Sequence, residues 1–384
     1  MEKVSPTYIS DLNLHYMIRK NYKFSKKVWW YRASLTFDLL SVISKDKFIY
    51  DFKYNNAFFI FDHSMDPLFQ HNFVRLAKEL ITVFIKNKLD LRRIIVLSPV
   101  PSKFFYKSLY TQNYVKLYPH KFDPKLFFHI SHNYLWEEFK ITYSHASLSS
   151  LSKNPDRHFL CINRRDSINR RFLNYSLHKE NLFDLGYISH QRVTENNYKK
   201  SNEGHNQEIN ILASRQDFDV KYYLKYGYKK HFLDTITSKP EAVHSLKFHR
   251  DLSSKSCFEV VTETDISDSL FMTEKTLKPI LFKSPFLLCG SYLSLHRLKN
   301  LGFKTFDLVF DESYDLEPVY YDRMSIILDN LKRLCSMSVT NCKKKLSIVE
   351  EVCEFNYNHF LNNEWSFNLL EDKIQKRINE VVNV

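Results

Sequence analysis

Residues 257–290 read CFEVVTETDISDSLFMTEKTLKPILFKSPFLLCG, and the way this stretch divides decides the fold. Cys257–Thr264 is an apolar run of strand length. A polar loop follows, then Phe271–Lys283 leads into a helix, and Ser284–Gly290 is a second short apolar strand. Strand, helix and strand at this spacing make a βαβ unit and predict a parallel sheet. Glu274 and Lys275 stand side by side where the helix opens. A helix N-terminus has unpaired N–H groups and a positive partial charge, and Lys275 adds a full charge, which suits a diphosphate. Glu274 suits a ribose diol, the role of acidic residues in other nucleotide sites. On the triplet alone, a solvated Glu-Lys pair at a helix end is the plainer reading.

The same pattern recurs on either side. Residues 56–67 read as a strand and loop, 69–89 as a helix and 92–102 as a buried strand ending in a Pro-rich loop. Residues 126–139 add a strand or a crossing loop. A Ser/Lys/Asn/Pro linker at 148–156 precedes a fresh strand, His158–Ile162, and a helix from about Arg170 that stops at Gly186. Residues 190–250 are polar and weakly periodic. Beyond them come a helix at 294–303, a short strand and acidic loop at 304–315, and a mostly helical stretch from 318 to 384. The expected organisation is an N-terminal α/β domain at 1–152, a second α/β domain at 153–345, and C-terminal helices at 346–384 packing back on the first domain. Ligands of such sheets bind in the loops after the strands. Here those loops are Asn163–Asn169 and Asp265–Lys275.

Composition narrows the classes. Apolar residues make up 44% of the 384, enough for packed cores, so wholesale disorder is excluded. The chain has only five glycines, which write neither a Gly-x-Gly-x-x-Gly nor a Walker loop. The net charge of +13 attracts polyanions without choosing among them. Six cysteines without paired Cys-x-x-Cys spacing predict free thiols and no structural zinc. The N-terminus has no apolar signal core, and no run reaches the roughly 18 apolar residues of a membrane span. The expected location is cytoplasmic, with peripheral contact to the acidic inner face of a membrane as a secondary expectation. Lys26–Arg32, KKVWWYR, reads as cations snorkelling over a core edge, or as a contact to a membrane or sugar.

Residues 257–290 resemble the donor-site segment of the α-1,3-fucosyltransferases and their relatives. In that family a strand ends in Glu, and an aromatic-x-Thr-Glu-Lys opens the next helix. Glu263 matches the strand-end Glu, Thr273, Glu274 and Lys275 the triplet, Pro285 the following Pro, and Gly290 the Gly after the strand. The aromatic, usually Tyr, is Phe271, and Lys283-Ser284 replace the Gly before the Pro. Upstream, CINRRDSINRRF is similar to the family's Asn-containing loop, with Asn163 as the Asn and Arg170 (or Arg171) as the Arg delivered to the sugar nucleotide. The stretch through LGFKTFDLVFDESYD at 301–315 is also similar to glycosyltransferase-like proteins of phages and aquatic microbes.

The resemblance spans about 158–315, outside the variable 190–250. It implies the GT-B fold, an α/β arrangement of two Rossmann-like domains facing a cleft, here with a helical C-terminus. It implies transfer of a sugar from a nucleotide-diphosphate donor, GDP-sugar favoured, to a glycan, a lipid-linked glycan or another hydroxyl acceptor. No metal or other cofactor is expected. The donor-binding set is then Asn163, Arg170, Arg171, Phe271, Thr273, Glu274 and Lys275, with Glu263 shaping the sugar pocket. An acceptor hydroxyl must lose its proton to a nearby base. Asp62, in FDHSMD with His63 and Asp66, is the candidate, and capping of the next helix is the alternative. Asp265 and Asp268 read as loop caps, and His129 with His132 as core or loop histidines. A basic nucleic-acid binder is the rival class, although no recognition module is visible and no specific nucleic acid is expected. A catalytically inactive transferase-like binding module is the third.

Overall fold

The computed structural model describes residues 7–9, 23–32, 45–62, 80, 82–98, 128–131, 153–163, 167–190, 210, 212–213, 218–231, 233, 246–264, 266, 272–362 and 367–382. The protein is a mixed α/β chain with two parallel sheets and a helical C-terminal stretch. It divides into two compact units, residues 1–143 with 363–384, and residues 144–362. The sequence reading drew its boundaries at 152 and 345, so the second unit keeps more of the helical tail than expected.

The first unit carries β1 (Thr7–Ile9), β2 (Val28–Arg32), α1 (Asp46–Tyr54), β3 (Phe58–Asp62), β4 (Ile94–Ser98) and β5 (Phe128–Ser131). Its five strands are parallel and lie in chain order, β1-β2-β3-β4-β5. Right-handed crossovers between strands laid down in one direction put the described connecting helices on one face. Phe48 and Phe52 of α1 and Phe84, in the helical residues between β3 and β4, pack there against Trp29 and Phe59. Their ring centroids are 4.6 to 6.3 Å apart. The other face needs a cover from elsewhere. The helix Phe367–Val382 supplies it, setting Leu370, Ile374, Ile378 and Val381 against Val28, Trp30, Phe58, Ile60, Ile95 and Leu97.

The stretch expected at the surface, KKVWWYR, is therefore mostly β2. Trp29 and Trp30 are 8% and 4% exposed, and Trp29 Nε1 donates to Asp51 Oδ2 at 3.0 Å. A strand covered on both faces reads as an unbroken apolar run, which explains the adjacent tryptophans. Neither is available to a membrane.

The second unit holds β6 (Arg157–Asn163), α2 (Ile168–Lys179), β7 (Gly186–His190), α3 (Val220–Tyr226), α4 (Leu246–Ser254), β8 (Ser256–Thr262), α5 (Glu274–Leu281), β9 (Phe286–Cys289), α6 (Ser294–Asn300), α7 (Tyr320–Cys335), α8 (Val339–Leu346) and α9 (Glu350–Asn362). Its strands are parallel in the order β7-β6-β8-β9. The chain thus runs outward from β6 to β7, returns past β6 to β8, and continues the other way. The same right-handed rule places α2 on one face and the connections carrying α4 and α5 on the other.

Gly186 was expected only to stop a helix. It opens β7, because a Cβ there would lie 2.5 Å from the Phe159 ring. No strand forms in residues 304–311, where one was expected; 307–309 make a turn. The acidic loop after them is a set of caps. Asp315 accepts from the N–H groups of Leu295 and His296 at the start of α6, at 2.7 and 2.9 Å. Glu312 accepts from the N–H of Phe306 at 2.7 Å.

Candidate functional site

The reversal of strand order places β6 beside β8, and open parallel sheets bind ligands outside the carboxyl ends of strands at such a point. Asn163 closes β6 and Glu263 follows β8. Asn163 is 2% exposed; its Oδ1 accepts from Thr262 Oγ1, and its N–H donates to Ser189 Oγ of β7 at 3.2 Å. It ties three strand ends together. The first turn of α2 is stitched to the same place, with Asn169 Nδ2 donating to the Glu263 carbonyl at 2.9 Å and Arg170 Nη2 to the Thr262 carbonyl at 3.3 Å. Arg170 is 1% exposed. Arg171 turns to Tyr228, donating to its hydroxyl at 2.8 Å with the guanidinium 4.9 Å from the ring centre.

Glu263 is fully buried. Its Oε1 accepts from the Thr273 N–H at 2.9 Å and from Thr276 Oγ1 at 2.5 Å, while Oε2 accepts from Thr273 Oγ1 at 2.7 Å. A carboxylate is at home against the positive end of a helix, and bonds of this charge-assisted kind are the strong ones. The residue therefore latches the end of β8 to the start of α5. Thr273 completes the arrangement as N-cap, its Oγ1 accepting from the Lys275 N–H at 3.2 Å. Asn163, Arg170, Glu263 and Thr273 form a buried layer under the site rather than a lining a sugar could touch.

Above that layer, α5 presents Glu274 and Lys275. Lys275 Nζ lies 3.2 Å from Glu274 Oε1, Thr264 Oγ1 and Thr273 Oγ1. The two side chains keep 22% (Lys275) and 32% (Glu274) of their surface. Burial pushes the Glu274 carboxyl up, but Lys275 and Lys278 outweigh it and hold it below the usual carboxylate range. The pair is thus an ion pair, mostly buried but reaching solvent, on the first turn of a helix capped by Thr273.

Beneath α5 is a cavity of about 40 Å³, lined by Leu160 and Ile162 of β6, Glu259 of β8, His249 of α4, and Glu274, Lys275 and Lys278. His249 Nε2 donates to Glu259 Oε2 at 2.7 Å, and Ser253 Oγ to Glu259 Oε1 at 2.7 Å. Burial raises the Glu259 carboxyl, but the contact with His249 brings it below its ordinary value. Sequence reading missed Lys278, His249 and Glu259. The signal in reach was the spacing of Glu274 and Lys278, four residues apart on one helix face.

Asp62 ends β3 in the first unit; its side chain, like Phe271, His63, Asp66, Asp265, Asp268 and the side chains of His129 and His132, lies outside the described residues. Among the described residues no three His, Cys, Asp or Glu side chains group to hold a metal, and no helix is long and apolar enough to cross a membrane. A comparison with protein-family models and with curated proteins finds no match to this chain.

Proposed function

We propose that the second unit binds the nucleotide diphosphate of a sugar donor at the start of α5, and that the protein is a glycosyltransferase of GT-B-like architecture, with GDP-sugar the favoured donor. One observation carries the reading. The Glu274–Lys275 ion pair reaches solvent on a capped helix N-terminus, beside the one reversal of strand order among the described strands. A nucleotide presents a diol and a phosphate chain a few ångströms apart, and the pair offers a carboxylate and an ammonium at that separation. In the transfer the bond between the sugar carbon and the diphosphate oxygen breaks while the acceptor oxygen bonds to that carbon. Negative charge builds on the departing diphosphate, and Lys275 is the group that would stabilise it. For the group that takes the acceptor proton, the reading names Asp62. The acceptor is a glycan or another hydroxyl compound, and no metal is called for.

The test is thermal unfolding with GDP, UDP, CMP and ADP, on the wild type and on Lys275→Ala. A ligand at about 100 times its dissociation constant stabilises by about 2.7 kcal/mol. A shift with one nucleotide that is lost in the variant supports the reading and names the base. No shift with any nucleotide overturns it.

A further inference from the structure

All six cysteines lie in the second unit, and all are free and buried. Two of them meet. Cys257, the second residue of β8, has its Sγ 3.5 Å from the Val339 carbonyl in the first turn of α8. Cys342 stands three residues further along α8, on the same face, and its thiol hydrogen-bonds to Cys257. We propose that Cys257 and Cys342 are a peroxide-responsive pair, Cys257 the attacking thiol and Cys342 the resolving one, whose disulfide fastens β8 to α8.

Access divides the two roles. Cys257 keeps 5% of its surface and Cys342 none, so an oxidant arriving from solvent meets Cys257 first. The resolving thiol needs no access, because it already touches its target.

Charge points the same way. Lys153 turns its ammonium inward, where Nζ is shut off from water and, among the described residues, has no hydrogen-bond partner. Burial lowers its pKa, while Cys353, Glu259, Cys257 and Glu350 oppose that. A buried ammonium without a partner is costly, and a thiolate beside it relieves the cost. Lys343 of α8 donates to the Lys153 carbonyl at 2.8 Å and brings a second positive charge near Cys257.

The remaining thiols show that the arrangement is selective. The hydrogen bond from Cys342, with the two lysines behind it, holds the Cys257 thiol below its usual range although burial opposes them. Cys342 is raised, first by giving that hydrogen bond. Burial pushes Cys161, Cys335 and Cys353 up to about 12, and raises Cys289 as well. The thiolate is the nucleophile, so Cys257 is the one of the six set to attack.

In the first step the Cys257 thiolate attacks one oxygen of hydrogen peroxide. The S–O bond forms, the O–O bond breaks, and hydroxide leaves with the proton that Cys257 had lost. Cys342 then gives up its proton and its sulfur attacks Cys257. The S–S bond forms, the S–O bond breaks, and the second hydroxide departs as water with that proton. Two thiols are oxidised to a disulfide, one peroxide is reduced to two waters, and a dithiol reductant reverses the bond. The long loop closed between residues 257 and 342 predicts a more stable second unit, since cross-linking removes freedom from the unfolded chain.

The experiment treats the full, reduced chain with hydrogen peroxide under native conditions, then counts thiols and maps peptides. Two of the six thiols should disappear, with the peptides of Cys257 and Cys342 joined and the melting temperature raised by several degrees until dithiothreitol is added. Cys257 should be consumed about tenfold faster than Cys335 or Cys353. Cys342→Ser should leave Cys257 as a sulfenic acid that dimedone traps, and Cys335→Ser should behave as the wild type. Six thiols surviving in the folded wild type, a bond between another pair, or cross-linking only once denaturant is present overturns the proposal. The pair is at the opposite end of β8 from Glu263, so the wild-type result does not depend on whether a nucleotide binds.

Discussion

The two units carry parallel sheets that differ in winding. The first is laid down in a single direction, β1 to β5, so its described connecting helices share one face and a helix from the far end of the chain covers the other. The second reverses after β7, which puts its described helices on both faces and sets the carboxyl ends of β6 and β8 side by side. Similar strands therefore produce a layer stapled by a distant helix in one case and a divergence of strand order in the other. The candidate site lies at that divergence, and its polar groups divide by depth. Asn163, Arg170 and Glu263 are spent on holding strand and helix ends together, while Glu274, Lys275 and Lys278 line the cavity beneath α5.

The contrast breaks most sharply if the chain is ended after Asn362. Loss of Phe367–Val382 uncovers Trp30, Phe58, Ile60 and Leu97 at once, and each large buried side chain uncovered costs about 1.5–3 kcal/mol, which together are comparable with the whole stability of an ordinary domain. Limited proteolysis should then digest the first unit while 144–362 survives. Equal protection of both units would show that the helix is not the cover described.

Next in size is Glu263→Ala, which strands the Thr273 and Thr276 hydroxyls and the Thr273 N–H in the interior. The expected loss is about 3 kcal/mol, read from denaturant unfolding of the second unit. A loss below about 1 kcal/mol would mean the latch is not what holds α5. Gly186→Ala drives a methyl into the Phe159 ring and should cost about 1–3 kcal/mol in the same unit, with no effect on the first.

The smallest effect is graded with pH. His178, His190 and His231 of the second unit are each lowered to about 4, burial being the first cause. The unfolded chain, whose histidines titrate near 6.5, binds protons that the folded unit refuses. Stability from these groups is therefore full above about pH 6.5 and declines as pH falls toward 4. His178→Gln should shallow the decline in melting temperature over that interval, and an unaltered slope would remove His178 from the account.

Much of this architecture was legible in the chain. The segment 257–290 announces its strand, cap and helix, because a buried parallel strand is an unbroken apolar run and Thr273 is a good N-cap. Phe58–Asp62 and Ile94–Ser98 were visible for the first reason. What escaped detection depends on partners distant in sequence. Val28–Arg32 looked like a surface motif until its two covering layers were in place, and β7 was hidden behind a glycine whose reason is the Phe159 ring. At the site, a sequence pattern names Glu263, Arg170 and Lys275 in one breath. It does not say that the first two point inward to strand and helix ends and the third outward, because that depends on α2 and α5 both meeting the end of β8.

The central claim is that a nucleotide diphosphate binds the second unit at the reversal of its sheet. Hydrogen exchange with and without saturating GDP, and with UDP, CMP and ADP in parallel, tests it most directly. The account predicts that one nucleotide slows exchange through 262–281, from the end of β8 into α5, and leaves β1 to β5 unchanged. Protection confined to the first unit, or none with any nucleotide, would contradict it.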